Sequence, residues 1–151
     1  MSTRKTLDIE RVRVLADFRY CLRRFVSFSE EAAELMGTSA QQYQLLQVVA
    51  SVPDGTQASI SYIADRMILR HNSAVELVGR AERGGLVRRQ EDAADHRRAL
   101  ITLTTEGQEM LVSLVERHWG ELERQGPELM ETLAKLLGAG PVKGKKRSES
   151  R

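Results

Sequence analysis

The stretch Ser59-Ile-Ser-Tyr-Ile-Ala-Asp-Arg-Met67 decides the fold, because it predicts a short amphipathic helix with a defined start. Its apolar residues recur at i, i+3, i+4 and i+7, which is the spacing of one helical face. They are Ile60, Ile63, Ala64 and Met67. Ser59 precedes them, and a serine side chain there can accept a hydrogen bond from a backbone N–H of the first turn. The stretch therefore predicts a half-buried helix that begins after Ser59.

A second helix is predicted just downstream, after a bend over residues 68–72. Ser73 and Glu76 have the spacing of a capping box, so we expect the helix to start at Ser73. Its apolar face consists of Ala74, Val75, Val78 and Ala81, and its polar face of Ser73, Glu76, Arg80 and Arg83. Gly84-Gly85 is expected to end the helix in a left-handed conformation, after which Leu86 packs back against it.

A β-hairpin follows this helix. Residues 86–90 and 98–103 are strand-like, and the charged segment 91–97 connects them. Thr104 or Thr105 is suited to cap another helix. Helix, tight turn, helix and hairpin is the order of a winged helix-turn-helix, in which the second helix fits the DNA major groove and the hairpin, or wing, reaches the flanking groove or backbone. The sequence thus predicts a mainly α fold with a small β-wing.

Three motifs on these elements resemble the MarR family of bacterial transcription regulators. They are Gly85-Leu-Val-Arg-Arg89, Asp95-His-Arg97 and Ile101-Thr-Leu-Thr-Thr-Glu-Gly107, which match the family's "GLV.R", "D.R" and "LT..G" signatures in order and spacing. The resemblance extends over residues 12–137. It implies a homodimer that binds a pseudo-palindromic DNA operator, represses transcription and responds to a small aromatic or anionic effector.

The segments that flank this region predict dimerisation helices. Residues 8–36 form one long helical pattern, stopped by Gly37. At 1.5 Å per residue this helix spans roughly 40 Å, so its N-terminal part has little of its own chain to pack on. The first helix of MarR-like proteins contributes to a dimer interface, and the resemblance implies the same here. After the wing, the sequence predicts a helix closed by Gly126-Pro127 and a last short helix from about Leu129.

One more helix is expected to pack against the two central helices and the hairpin. It has a capping-box start at Ser39 and Gln42 and stops before the turn Pro53-Asp-Gly55. We therefore predict a single domain over residues 8–137, with dimer helices at 8–36 and 105–137 and the winged helix-turn-helix at about 39–104. Residues 138–151 predict a disordered basic tail.

Composition excludes several classes of protein. Of the 151 residues 41% are hydrophobic and 29% charged, and the sequence contains neither an apolar run of about 18 residues nor a secretory signal pattern. We expect a cytoplasmic protein without a membrane span. The net charge of +2 is unevenly distributed, because residues 66–98 carry eight arginines against five acids and residues 104–137 seven acids against three bases. The basic charge coincides with the predicted winged helix-turn-helix, where it could attract DNA phosphates. An equally good explanation is that these arginines only keep the protein surface solvated.

The candidate base-reading residues lie at the start and on the outer face of the second helix. They are His71, Asn72, Ser73, Glu76 and Arg80. A helix in the major groove presents its N-terminal residues to base edges, where Arg80 can contact a guanine and Asn72 an adenine. Glu76 has two open interpretations, a contact to cytosine or a capping role toward its own backbone.

The candidate wing residues are Arg88, Arg89, Asp95, Arg97 and Arg98. Arg97 stands where the "D.R" motif has the arginine that enters the minor groove, and the resemblance implies that role. Asp95 is expected to hold the Arg97 guanidinium, and the alternative is a surface ion pair of little energetic value. Arg88, Arg89 and Arg98 are expected to contact phosphates, which position a protein without reading sequence.

The single cysteine, Cys21, excludes an internal disulfide. One branch of the family senses hydroperoxides through a first-helix cysteine, but that cysteine lies earlier relative to the position of Gln42-Tyr43. We expect Cys21 to be a packing residue.

No motif indicates an enzyme, a metal site or a cofactor. The histidines His71, His96 and His118 lack metal-binding spacing, and there is no phosphate loop, G-x-S-x-G motif or paired carboxylate. Tyr43, Trp119 and Tyr20 are candidates to line an effector cleft, but buried aromatic residues are usually core, so the effector residues stay open. The alternative function is a winged-helix module that binds a protein partner through the same surface.

Overall fold

A computed structural model describes residues 6–138. In chain order the elements are α1 (Ile9–Leu35), α2 (Ala40–Ala50), β1 (Ala58–Ser59), α3 (Ile60–Met67), α4 (His71–Arg83), β2 (Val87–Glu91), β3 (Ala99–Leu103) and α5 (Thr105–Leu136). The chain divides into two compact units. Of the described residues, 29–118 form the winged unit, and 6–28 with 119–138 form the helical unit. The elements confirm the predicted class, mainly α with a small β-wing.

The winged unit has a core to which α2, α3, α4 and the sheet all contribute. Its most deeply buried large side chains include Leu45, Leu46, Ile63, Leu77 and Val78. On α3, the predicted apolar face is inward, because Ile63 and Ala64 are buried and the flanking apolar residues are partly buried against the same core. Burial of this face, rather than helical propensity, holds so short a helix in place.

Two predicted helix starts are confirmed by hydrogen bonds. Ser59 Oγ accepts from the Tyr62 backbone N–H at 3.1 Å, and Ser39 Oγ accepts from the Gln42 N–H at 3.1 Å. The reciprocal half of the Ser39 capping box does not form, because the Gln42 side-chain oxygen accepts from the Thr38 hydroxyl at 3.1 Å instead.

The start of α4 differs from the prediction. The helix begins at His71, and Arg70 is an extended N-cap residue without a side-chain capping bond. The predicted capping box of Ser73 and Glu76 is therefore wrong. Ser73 is the third residue of the helix, and the carbonyl of Arg70 already accepts from the Ala74 N–H at 3.0 Å.

The cause lies at Ile68, in the turn between α3 and α4. Ile68 adopts a left-handed conformation, with φ 55° and ψ 47°, and ends α3. This lets the Leu69 N–H donate to the Ala64 carbonyl at 2.8 Å, so only residues 68–70 separate the two helices. A β-branched residue rarely adopts this conformation, which is why the sequence suggested a longer bend.

The end of α4 and the wing agree with the prediction to within one residue. Gly85 has φ +74°, and the Leu86 N–H donates to the Ala81 carbonyl at 2.9 Å. The sheet is antiparallel with strand order β1-β3-β2. Val87 lies opposite Leu103, and the short β1 pairs with the far side of β3.

α1, most of which belongs to the helical unit, is the long helix that the sequence predicted. It ends before Gly37, which has φ +75°. Arg24 of α1 forms an ion pair with Glu128 of α5 at 2.7 Å, and its guanidinium lies 5.6 Å from the centre of the Tyr20 ring. Cys21 is 6% exposed, as a packing residue would be.

The predicted break at Gly126-Pro127 is wrong, because α5 runs without interruption from Thr105 to Leu136. Proline has no N–H to donate, so the helix forgoes one backbone hydrogen bond there. Side chains on both sides of the proline are buried nevertheless. They are Gln125, Thr132 and Ala134. Packing on both flanks overrides the local preference, as it commonly does in folded proteins.

The predicted basic tail, residues 138–151, lies outside the described residues except for Gly138. Between residues 6 and 138, no helix is long and apolar enough to cross a membrane.

Candidate nucleic-acid interface

α4 has one buried face and one exposed face. Ala74, Leu77, Val78 and Ala81 have no exposed surface, whereas Val75, which was predicted to be apolar core, is only half-buried. The five candidate base-reading residues are all exposed. They are His71, Asn72, Ser73, Glu76 and Arg80. Since the buried stripe fixes the rotation of the helix, its polar residues form an outward surface.

The early start of α4 leaves Ser73 and Glu76 without a capping role. The first backbone N–H groups of a helix have no acceptor within the helix and carry partial positive charge, so they favour an anion. No side chain caps them here. His71, Asn72 and Ser73 therefore present both side chains and N–H groups at one end of the exposed face.

Arg80 has a partner that sequence reasoning missed. Its Nη2 donates to the Gln41 side-chain oxygen on α2 at 3.2 Å, and both residues are exposed. A contact across 39 positions leaves no local pattern in the sequence. A guanine contact by Arg80 would have to replace this bond.

The wing tip is a turn held by Asp95. Its Oδ1 accepts from the backbone N–H of Arg97 at 3.0 Å, and its carbonyl accepts from the Arg98 N–H at 3.0 Å. This differs from the expected contact between Asp95 and the Arg97 guanidinium, since the carboxylate binds the backbone instead. Arg97 is exposed at the tip, and no ion pair engages it within residues 6–138.

Arg88 and Arg98 are also exposed on the wing. Arg88 lies opposite Thr102 on β3. The carbonyl of Arg98 accepts from the Asp92 N–H at 3.0 Å and so closes the end of the hairpin. The Arg98 side chain lines an open surface pocket that also includes Thr56. In the described part of the chain neither guanidinium is in an ion pair, so both keep their charge available to phosphates.

Arg89 is arranged differently from its neighbours. Its backbone N–H donates to Glu82 Oε2 at 3.1 Å, its Nε lies 3.6 Å from Glu82 Oε1, and its Nη2 donates to the Val75 carbonyl at 3.4 Å. All three acceptor atoms belong to α4. The side chain thus points along the helix rather than outward, and the sequence did not single out Glu82 as its partner.

The base of the wing joins α4, the sheet and α5. The Thr104 hydroxyl donates to the Gly85 carbonyl at 2.6 Å and accepts from the Gly107 N–H at 3.0 Å, and the Thr104 N–H donates to the Leu86 carbonyl at 3.1 Å. Of the two candidate caps, Thr104 is therefore the one that caps α5. The first and third family-like motifs meet here in space.

Tyr43, one of the candidate effector-lining aromatics, is buried in the winged unit. Its ring centre lies 4.4 Å from that of His118, and its hydroxyl accepts from Gln47 Nε2 at 3.0 Å. Burial raises the pKa of Tyr43, and the bond from Gln47 acts in the opposite direction. His118 contacts the Leu114 carbonyl at 2.6 Å and the Ser29 hydroxyl at 2.9 Å. The cluster is a satisfied polar part of the core.

Trp119 and Tyr20 belong to the helical unit, where they are exposed. The histidines are not gathered, and His96 lies beside Glu91 with 2.9 Å between Nδ1 and Oε1. Over residues 6–138 no group of three His, Cys, Asp or Glu residues could hold a metal ion.

Known proteins resemble this chain in sequence. The MarR family model matches residues 36–98, from the end of α1 to the wing tip. The transcriptional regulator HosA of Escherichia coli O157:H7 is 30% identical over 111 residues, which cover 69% of this chain and 80% of HosA. HosA of Escherichia coli O111:H- is 30% identical over 114 residues, which cover 70% and 82%.

Solved structures share the fold. AbsC, a MarR family transcriptional regulator from Streptomyces coelicolor, superposes with a TM-score of 0.73 at 22% identity, covering 89% of this chain and 93% of AbsC. Sco3205, a MarR family transcriptional regulator from Streptomyces coelicolor in complex with DNA, gives 0.72 at 20% identity, covering 91% and 89%. At these identities the likeness concerns the fold.

Proposed function

This chain belongs to the MarR family of transcription regulators, and we propose that it binds a pseudo-palindromic DNA operator as a homodimer and represses transcription. The observation that carries the proposal is the exposed polar face of α4, whose buried stripe leaves five polar side chains outward. The solved complex of Sco3205 with DNA supports DNA as the partner of this fold.

In the proposed complex, α4 enters the major groove and the wing lies along the flanking DNA. His71, Asn72 and Ser73 face base edges from the first turn of α4. Arg97 enters the minor groove, where narrow A·T-rich segments concentrate negative potential. Arg88 and Arg98 contact phosphates and set the register of the protein on the duplex.

Regulation by an effector extends the proposal. A small aromatic or anionic compound that binds one spacing of the two recognition helices more tightly than another would shift the dimer away from DNA. A thermal-shift screen of aromatic acids, followed by a DNA-release assay on the compounds that stabilise the protein, tests this step. A protein that acts in this way works in the cytoplasm, where bacterial DNA is accessible.

The deciding experiment is to incubate the purified protein with sheared genomic DNA and sequence the retained fragments. We expect an inverted repeat whose half-sites are centred roughly one helical turn, 10–10.5 base pairs, or a multiple apart. Affinity for it should fall steeply with salt, because phosphate contacts release counterions. Retention of no shared sequence, with a flat salt dependence, would favour the protein-interaction module instead.

The wing is expected to contribute through charge. Arg97→Ala should weaken binding to cognate and scrambled duplexes alike and, with two wings per dimer, reduce the slope of log K against log salt by up to about 2. Fluorescence anisotropy at several salt concentrations measures both quantities. Arg117→Ala, an exposed arginine of α5, is the matched control and should leave the slope unchanged. An unchanged slope in the Arg97 variant would remove the wing from the interface.

Arg80 is expected to act on sequence preference. If it exchanges Gln41 for a guanine, Arg80→Ala should cost about 1–3 kcal/mol per half-site and relax preference at one symmetric pair of positions. Gln41→Ala should leave that preference intact, since it removes only the competing acceptor. Binding to a set of duplexes with each half-site position varied makes the comparison. Equal losses in both variants, without altered preference, would mean that Arg80 only braces α4 against α2.

A further inference from the structure

The ion pair between Arg89 and Glu82 occupies the junction of the wing and the recognition helix. β2 is an edge strand of the sheet, so the N–H groups on its free edge need acceptors from outside the sheet. The Arg89 N–H finds one in Glu82 Oε2 at 3.1 Å. One carboxylate thus binds both the backbone and the side chain of Arg89, since its other oxygen lies 3.6 Å from Nε.

The Arg89 side chain extends this contact along α4. Its Nη2 donates to the Val75 carbonyl at 3.4 Å, seven residues before Glu82. Gly79 lies beside this course, since a Cβ there would be 3.8 Å from Arg89 Nη2 and 3.4 Å from Arg83 Nη1, which is van der Waals distance.

We propose that Arg89 and Glu82 are positioning residues that fix the angle between the wing and α4, and that Arg89 does not contact DNA phosphates. The effect of this pair on DNA binding rests on the proposed function. A rotation of about 10° at Arg89 would move a wing tip some 15–20 Å away by about 3 Å, more than a hydrogen bond tolerates. The pair therefore sets whether Arg97 reaches its groove while α4 occupies the neighbouring one.

Binding assays distinguish a positioning role from a phosphate contact, because the two roles predict opposite changes in DNA affinity for Glu82→Ala. Removing an acid near a polyanion ordinarily tightens binding, and it would also release Arg89 toward phosphate. If the pair positions the wing, Glu82→Ala should instead weaken binding to the retained duplex by about tenfold, as Arg89→Ala does, and the double variant should be no weaker than either. Glu109→Ala, which removes the same charge from an exposed position on α5, should not weaken binding.

Salt dependence gives a second criterion. Arg89→Ala should keep the wild-type slope, whereas Arg88→Ala, on the neighbouring position of the same strand, should lower it by up to about 2 per dimer. Tighter binding by Glu82→Ala, additive losses in the double variant, or a lowered slope in Arg89→Ala would each overturn the proposal.

Hydrogen exchange tests the same pair without DNA. In the free full-length protein, Glu82→Ala should accelerate exchange of the Arg89 amide by about tenfold or more, while Glu82→Gln, which keeps an acceptor oxygen, should stay near the wild-type rate. An unchanged Arg89 rate in Glu82→Ala would refute the contact itself. If the wild-type protein retains no DNA but its Arg89 amide behaves as expected, the proposed function fails and the structural link between α4 and the wing stands.

Discussion

Gly107→Ala is expected to destabilise the protein by about 3 kcal/mol or more, a large effect for one methyl group. A Cβ at this position would lie 2.0 Å from the Leu86 carbonyl oxygen and 2.9 Å from its carbon. Both are backbone atoms, so no side-chain rotation relieves the overlap. Either the first turn of α5 or the start of β2 must move, and the hydrogen bonds of Thr104 to Gly85 and Leu86 are lost with it.

Thermal unfolding followed by circular dichroism measures this loss, which corresponds to a fall in Tm of roughly 10 °C. Gly120→Ala is the matched control in the same helix, because nothing lies within 4 Å of the Cβ position there. It should raise stability by up to about 1 kcal/mol, since alanine favours a helix over glycine. Equal Tm values for Gly107→Ala and the wild-type protein would show that the wing base is not packed as described.

Gly107 also shows that a sequence motif can identify an important residue without indicating its structural role. The "LT..G" signature pointed to the residue, but not to the reason for it, which is the close approach of the Leu86 backbone from 21 positions away. Features with local causes were predicted well. Ser59 and Ser39 cap α3 and α2 as their spacing indicates, and the apolar periodicity of α3 is the one that packs.

Features with distant causes were not predictable in the same way. Pro127 is a helix breaker by its own chemistry, yet buried side chains before and after it keep α5 continuous. Ile68 turns the chain in a conformation that its side chain disfavours, and this moved the start of α4 two residues earlier than Ser73. In each case packing outweighed a preference of the order of a few kcal/mol.

The same distinction between local and distant causes applies to the candidate site. Which side chains of α4 face outward follows from its apolar spacing, so those positions were identified correctly as exposed. The direction of each long side chain depends on partners that are remote in sequence. Arg80 bonds with Gln41, and Arg89 with Glu82, while Arg97 extends from a turn that Asp95 holds through the backbone. The sequence suggested a guanine contact for Arg80, a phosphate contact for Arg89 and a minor-groove role for Arg97, but it did not indicate the partners that direct these side chains.

Leu15→Glu is expected to convert the proposed homodimer into a monomer. The helical unit carries a series of exposed apolar side chains on both of its helices. They are Ile9, Val12, Leu15, Tyr20, Leu22 and Val26 on α1, and Trp119, Leu122, Met130, Leu133 and Leu136 on α5. Exposed apolar side chains in such number commonly mark an interaction surface, and a second copy of the same surface would supply a self-complementary cover around a two-fold axis.

The choice of Leu15 separates dimerisation from folding. Leu15 is 49% exposed in the single chain, whereas Phe18 is half-buried, so a charge at Leu15 spares the fold of the subunit. In a dimer interface the same carboxylate would be buried without a partner, at a cost of several kcal/mol. Sedimentation velocity at micromolar concentration should therefore show a monomer, and circular dichroism should show the helical content of the wild-type protein.

Loss of the dimer should abolish tight binding to DNA, because each half-site is then bound by a single winged unit. Linking two units typically raises overall affinity by about 10²–10⁴, so a loss of at least 100-fold is expected on the full operator. Leu35→Glu, the same change at a 77% exposed leucine at the other end of α1, is the control and should leave both mass and affinity unchanged. A wild-type protein that sediments as a monomer would contradict the dimer directly. A dimeric Leu15→Glu variant would instead move the interface away from this face of α1, to the apolar surface of α5.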